Sequence, residues 1–444
     1  MRTRPMTAAI AATLLWFGPR AALADSAADA RMAAMEARIT QLEDKLATSQ
    51  KTIDEQSEML KQQATPAVSQ GTAAPASGLD AFLNTVQING YVAASYEYSF
   101  NNPNNPIGAN ATNQFNLDHN TFNLDGAKIE FYRPATNPGD AGFQLDLLFG
   151  ADAGVAGGYR FTTPGFAADN FSYVQDMNIQ YNWDNVLFKF GKWETLLGYE
   201  VFDSVANKNI THGLLFTYAI PLVHTGLQAS GKINESFGWA GALVNGWNNA
   251  TDTNDNKGLL GQLNYSGGPL TTALNMYYGA DGNTGFSGQT VEHAGSDPAI
   301  VLDWNANFAA NDALTFWANA DWGLQKNVVF VSGPNLGRTI DSVWYGLALG
   351  TQYAFNDKTS LAVRGEYLRD ADGYRILVGK NTNAYSLTAT LAYKLTTNLL
   401  ARAEFRYDAL TSDGNGDHFF PSGGPSDLSN NNYQGLVQVA YIFD

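Results

Sequence analysis

The chain has 444 residues, 42 of them acidic and 26 basic, for a net charge of −16, with charged residues at 15%, aromatic residues at 12%, 43 glycines and no cysteine. That balance excludes a basic nucleic-acid footprint, and the missing thiols exclude disulfides, zinc–cysteine sites and thiol nucleophiles together. Few charges, many aromatics and a mean hydropathy of −0.22 fit a large aromatic-rich β protein, not a bundle of membrane-spanning helices.

Residues 1–24 have the layout of a secretory signal: Arg2 and Arg4, the apolar run Ala8 to Phe17, then Ala22-Leu23-Ala24 ahead of Asp25. The run is shorter than a helix needs to cross a bilayer. Cleavage after Ala24 removes Arg2, Arg4 and Arg20 and no acid, so the remaining chain is more acidic still. From Met32 to Leu60 the apolar period is three and a half: Met32, Met35, Ile39, Leu42, Leu46, Ser49, Ile53, Gln56 and Leu60 alternate spacings of three and four. This predicts a self-associating α-helical coiled-coil stalk over 25–62. Ser49 and Gln56 interrupt the seam, which leaves a single solvated helix as the competing reading. Pro66 to Gly78 is rich in Ala, Ser, Thr and Pro, so 63–83 reads as a flexible linker.

Over 84–444 the period becomes two, the signature of strands with one apolar and one wet face. In the stretch 171–233, Phe171, Tyr173, Met177, Ile179 and Tyr181 share one parity, and Ser172, Asp176, Asn178 and Gln180 the other. Trp183-Asp184-Asn185 reverses the chain. Val186, Phe188 and Phe190 then oppose Leu187, Lys189 and Gly191, after which the pattern dissolves until Leu222. A short turn at one end and a long loop at the other is the hairpin asymmetry of an outer-membrane barrel. Short turns recur at Asn234-Glu235-Ser236, Gly267-Gly268-Pro269, Asn311-Asp312, Asn356-Asp357-Lys358 and Thr396-Thr397, with long loops between them. The expected fold is an all-β transmembrane antiparallel barrel of about 16 strands. Asp176, Lys189, His224 and Lys232 lie opposite the aromatics, so the apolar face meets lipid. A soluble β-sandwich also alternates, and the export signal argues against it.

Within that stretch, Gly191-Lys192-Trp193, Gly198-Tyr199-Glu200, Asn207 to Asn209, Leu214-Leu215-Phe216 and the run Pro221 to Gly226 (PLVHTG) resemble the OmpL-like β-barrel porins of Gram-negative outer membranes. The likeness runs over about residues 84 to 444, by pattern across the barrel and by motif in this segment. It implies a pore and names no substrate. It also implies an aromatic final residue, and here Asp444 follows Phe443.

No catalytic constellation, cofactor motif or metal spacing emerges. The five histidines (119, 212, 224, 293, 418) are not paired at metal-helix spacing. Asp413, Asn415 and Asp417 begin like a calcium loop, but His418 stands where the turn glycine belongs. What parity does place in the lumen is charge: Lys128, Lys189, Lys232, Arg364, Lys394, Arg402 and Arg406, against Glu97, Glu130, Asp146, Asp176, Asp303, Asp321, Glu366, Glu404 and Asp408, with His224 on the same face. These are pairs that tolerate partial burial, or a field that orients permeating solutes. The long interruption Trp193 to Pro221 is the candidate constriction, because Leu214 to Phe216 would be a liability in water. Its charges are Glu194, Glu200, Asp203 and Lys208, with His212 beside them. The expected protein is a water-filled porin for small hydrophilic solutes and ions, embedded in outer-membrane lipid. Its stalk would lie in the periplasm and hold a homotrimer. The alternative is a barrel closed by its loops that acts as an anchor or adhesin.

Overall fold

A computed structural model describes residues 82, 84–103, 112–113, 115–156, 173–252, 254–280, 289–291, 296–330, 335–376, 380–412, 419–422 and 428–443. The signal segment, the heptads and nearly all of the linker lie outside the described residues, as do Asp413, Asn415 and Asp417.

Sixteen strands form the wall: β1 (Gln87–Ser99), β2 (Thr121–Arg133), β3 (Ala141–Phe149), β4 (Val174–Trp183), β5 (Val186–Glu194), β6 (Val223–Lys232), β7 (Phe237–Val244), β8 (Gly258–Gly267), β9 (Leu270–Gly279), β10 (Ala299–Ala309), β11 (Leu314–Phe330), β12 (Thr339–Ala354), β13 (Thr359–Asp370), β14 (Thr382–Lys394), β15 (Leu399–Ser412) and β16 (Asn431–Phe443). Each pairs antiparallel with its neighbour in sequence, and among the described residues the short strand Gln289–Val291 adds to the loop end of β11 as a seventeenth member of the sheet. The last pairs with the first, from Gly90 opposite Phe443 to Ser99 opposite Gln434. The sheet therefore has no open edge, which is what a β structure needs when lipid supplies no hydrogen bonds.

Side-chain chemistry explains the tight reversals. Asp184 and Asn185 both take positive φ (49° and 68°) in the two-residue turn between β4 and β5, the conformation that matches strand twist. In three four-residue turns an asparagine oxygen accepts two backbone N–H groups: Asn234 from Ser236 and Phe237, Asn311 from Ala313 and Leu314, Asn356 from Lys358 and Thr359. The Thr396 hydroxyl does the same for Asn398 and Leu399. One local motif closes four hairpins at the same end.

The outward parity carries Val92, Ile129, Phe190, Leu227, Leu263, Leu347, Leu387 and Val437, all exposed. Aromatic pairs mark both rims: Tyr96–Phe122, Tyr367–Tyr385 and Tyr407–Tyr433 at the loop end, Phe237–Tyr265 and Tyr353–Phe355 at the turn end. An aliphatic band between aromatic girdles is the surface that a bilayer and its headgroup regions select. The buried apolar cluster is inside the barrel. Much of it is supplied by the connection from β5 to β6, residues 195–222, whose short helix α2 (Leu214–Tyr218; α1 is Ala153–Ala156) is buried throughout.

Candidate functional site

The connection from β5 to β6 crosses the barrel interior, and polar side chains from much of the wall hold its backbone. Next to its start, Gln262 of β8 donates to the Leu196 carbonyl and Asn305 of β10 to that of Gly198. The Asn319 side-chain oxygen on β11 accepts from Tyr199 N at 2.8 Å, while the Tyr199 ring stacks on Trp317 at 4.5 Å. Farther along, Arg402 donates to the carbonyls of Ser204, Asn207 and Asn209. Glu404 accepts from Ile210 N, Thr211 N and the Thr211 hydroxyl. Arg364 donates to the Thr211 carbonyl and pairs with Glu200, and Arg406 donates to the His212 carbonyl at 2.6 Å. A buried charge is tolerable only when paired and hydrogen-bonded, and the loop's backbone supplies much of what the strands lack.

The apolar half of the segment then seats α2. Gly213 passes so close to Glu366 that a Cβ there would lie 2.2 Å from its carboxylate, and Glu366 pairs with Arg364 at 2.9 Å. Beyond the helix, Trp344 Nε1 donates to the Ala219 carbonyl and Arg375 Nε to that of Tyr218. The Trp344 ring can lie there because its cross-strand partner is Gly323, where a Cβ would meet the ring at 2.0 Å. Arg375 also sits over Trp247 and Trp344, at 4.7 and 5.3 Å from their ring centres.

Four of the five charged or titratable residues expected at the constriction have partners. Glu194 accepts from Gln175. Glu200 pairs with Arg364 and accepts from Gly213 N. Asp203 pairs with Lys128 at 2.7 Å and accepts from Tyr91 and Gln175. His212 is wholly buried, with Nε2 at 3.0 Å from the Val201 carbonyl and its ring stacked on Phe115 and Phe216. Burial, aided by the Arg364 charge, pushes its pKa down to about 3. Lys208 differs: it makes no ion pair among the described residues and lines a cavity of about 210 Å³ with Tyr199, Glu200 and Trp317.

Of the charges that parity assigns to the lumen, the structure brings most into two groups. Arg364, Glu366, Arg402, Glu404, Arg406 and Asp408 form the patch that holds the loop, where Asp408 pairs with Arg406 and accepts from the Thr112 hydroxyl. Lys128, Glu130, Asp146 and Asp176 form a second patch on β2, β3 and β4. Asp303 and Asp321 face each other across β10 and β11 among the amides of Asn275, Asn305 and Asn319. Glu97 accepts from Asn116 and Asn123. His224 supports the loop's return, with its ring nitrogens at 3.1 Å from the Thr195 hydroxyl and 3.3 Å from the Gly246 carbonyl. Lys189 stands inward on β5 beside Gln228 of β6. Lys232 lines a turn-side cavity of about 690 Å³ with Asn182, Gln228, Ser230, Gln262 and Asn264. Lys394 lies exposed at the turn end, apart from both groups. The amides and indoles that grip the loop, Asn305, Asn319 and Trp344 among them, were not singled out by charge or spacing. Amides at inward strand positions were the available signal.

The sequence profile of the family described as "Putative beta-barrel porin-2, OmpL-like" matches residues 85–443. No curated protein matches the sequence. Among solved structures, the anion-selective porin from Comamonas acidovorans is similar at TM-score 0.54 and 10% identity, covering 81% of this chain and 99% of that one. The outer membrane channel DcaP of Acinetobacter baumannii is similar at 0.52 and 12%, covering 81% and 97%. OmpT of Vibrio cholerae is similar at 0.51 and 12%, again covering 81% and 97%.

Proposed function

The chain belongs to the OmpL-like beta-barrel porin-2 family of outer-membrane porins, barrels that pass small hydrophilic solutes by diffusion, and on that premise we propose that residues 193–221 form its constriction and set a modest preference for cations. The observation that carries the reading is the path of that segment, which crosses the interior and is held by side chains from β8 round to β16 and β1. The arginines Arg364, Arg402 and Arg406 are turned to loop carbonyls and neighbouring carboxylates. Their field at the open lumen is thereby reduced, whereas four acids, Glu130, Asp146, Asp176 and Glu194, share the wall with three lysines, Lys128, Lys189 and Lys192, the last of them buried and donating to the Val174 carbonyl. A narrow site screens less than the open mouth, where charge is screened beyond about 8 Å at physiological salt. A neighbour described as anion-selective shares the barrel at 10% identity, so selectivity here rests on this chain's own charges.

The test is the reversal potential across a planar bilayer in a potassium chloride gradient. Wild type should prefer potassium, most strongly in dilute salt. Glu194→Gln, Glu200→Gln and Asp203→Asn together should move it toward no selectivity. Because Glu200 and Asp203 also anchor the loop, the same triple change should raise conductance. An anion-selective wild type would overturn the assignment.

Burial of the whole of α2 favours one second reading, a barrel closed by its loop. It predicts no potassium chloride current from wild type and current only after the loop is released by Arg402→Gln. On the first reading the work is conduction, not catalysis. We further infer that residues 25–62 stand in the periplasm as a coiled coil and hold a homotrimer. One fold neighbour, OmpT of Vibrio cholerae, is described in a trimer form.

A further inference from the structure

Building on the reading that the lumen conducts, we infer that the wall of β2, β3 and β4 carries a binding subsite for solutes bearing a primary ammonium group, centred where the Gln144 amide lies. Glu130, Asp146 and Asp176 stand side by side across the three strands. Gln144 Nε2 is 3.1 Å from Asp146 Oδ2, 3.2 Å from Asp176 Oδ2 and 3.5 Å from Glu130 Oε2. An amide nitrogen has two hydrogens for these three acceptors, whereas an ammonium has three. The excess of acceptors is larger than that one contact. Among the described residues Asp146 Oδ1 and Asp176 Oδ1 have no hydrogen-bond partner, although the two residues are 0% and 6% exposed, and they belong to the carboxyl groups that already face Gln144. Buried oxygens of this kind are costly unless something donates to them.

The adjoining position shows what fits. One rung nearer the loop end, the Lys128 ammonium lies 2.9 Å from Asp146 Oδ2 and 2.7 Å from Asp203 Oδ2. The same wall therefore already holds one primary ammonium, between carboxylates of β3 and the loop. The spacing at Gln144 suits N–H···O contacts; calcium would need oxygens at about 2.3–2.6 Å. Among the described residues no group of three or more acids or histidines is arranged for a metal ion. Glu130, whose other oxygen accepts from Asn89, and Gln144 are both half-buried and lie on the turn side of Lys128. The turn-side cavity begins farther along this wall, at Asn182. A solute arriving there need only displace the Gln144 side chain.

The test uses the full chain in detergent, with 1,4-diaminobutane titrated by calorimetry, alongside its effect on potassium chloride current in a bilayer. Diaminobutane should bind and reduce the current. Glu130→Gln should weaken it roughly tenfold, the scale of one charge-assisted hydrogen bond. Gln144→Ala should tighten it by vacating the position, a gain that misfolding cannot produce. Methylammonium should also bind, and tetramethylammonium, with the same single charge and no N–H, should bind more weakly than it by more than the roughly tenfold of one hydrogen bond, because all three donors are lost. The assignment is overturned by absence of binding, by Glu130→Gln binding as wild type does, or by tetramethylammonium binding as well as methylammonium does. Displacement of diaminobutane by an equal concentration of calcium would instead give the oxygens to a divalent cation. A wild type that binds diaminobutane through Glu130 yet passes no current would leave the subsite standing and overturn the conducting reading.

Discussion

His212 shows how far one side chain's chemistry is set by its place in the loop. Its ring is enclosed by Phe115, Phe216 and the Val201 carbonyl, with Arg364 close by, and among the described residues its Nδ1 has no partner. With the seated pKa at about 3 and an ordinary value of 6.5, a released loop binds a proton that the seated loop does not. Seating is therefore fully stable above pH of about 6.5 and weakens as pH falls toward 3, by about 3 kcal/mol at pH near 4.5. Amide exchange of residues 210–219, corrected for intrinsic rates, should speed up between pH 7 and 4.5 in wild type. His212→Gln should remove that part of the pH dependence. If both respond alike, the His212 imidazole does not set the acid sensitivity of the loop.

At the scale of the strand, the lipid face and the interior make opposite demands on the same alternation. Leu347 and Val437 are 43% and 54% exposed on the outward parity, so an arginine at either should cost about 2–4 kcal/mol if it lies near mid-membrane. Unfolding in a bilayer or micelle series would measure it. Inward positions are not uniformly tolerant, however. Gln438 accepts from Arg402 and donates to Asp125, so an arginine there breaks a buried network, whereas Gln352 faces inward and among the described residues makes a single side-chain contact, 3.3 Å to Ser360, so it should accept the change at little cost. Equal tolerance at Val437 and Gln352 would mean that the face assignment is wrong.

For the whole molecule, the closed wall predicts independence from the N-terminal region. The β1–β16 pairing completes the sheet without residues 25–78. Their deletion should leave a folded barrel that conducts, while its oligomer weakens if the heptads assemble it. An unchanged oligomer mass on native electrophoresis would place the assembly contacts on the barrel itself.

The strand number, the inward and outward faces, the tight turns and the family likeness were legible because each depends on neighbours within about ten positions. Period-two alternation and turn asparagines are local facts. The loop motif from Gly191 to Gly226 was also visible, as was its apolar stretch Leu214 to Phe216. What Arg364, Arg402, Glu404 and Arg406 do was not. Parity put them inside the barrel, but their partners are loop groups, most of them backbone, 153 to 198 residues away in sequence. Nor did the sequence separate the clamp on β13 and β15 from the acid row on β2, β3 and β4. Which inward charge meets a loop carbonyl, and which is left facing the lumen, is set by where the closed sheet carries each strand and by the course of one loop across it.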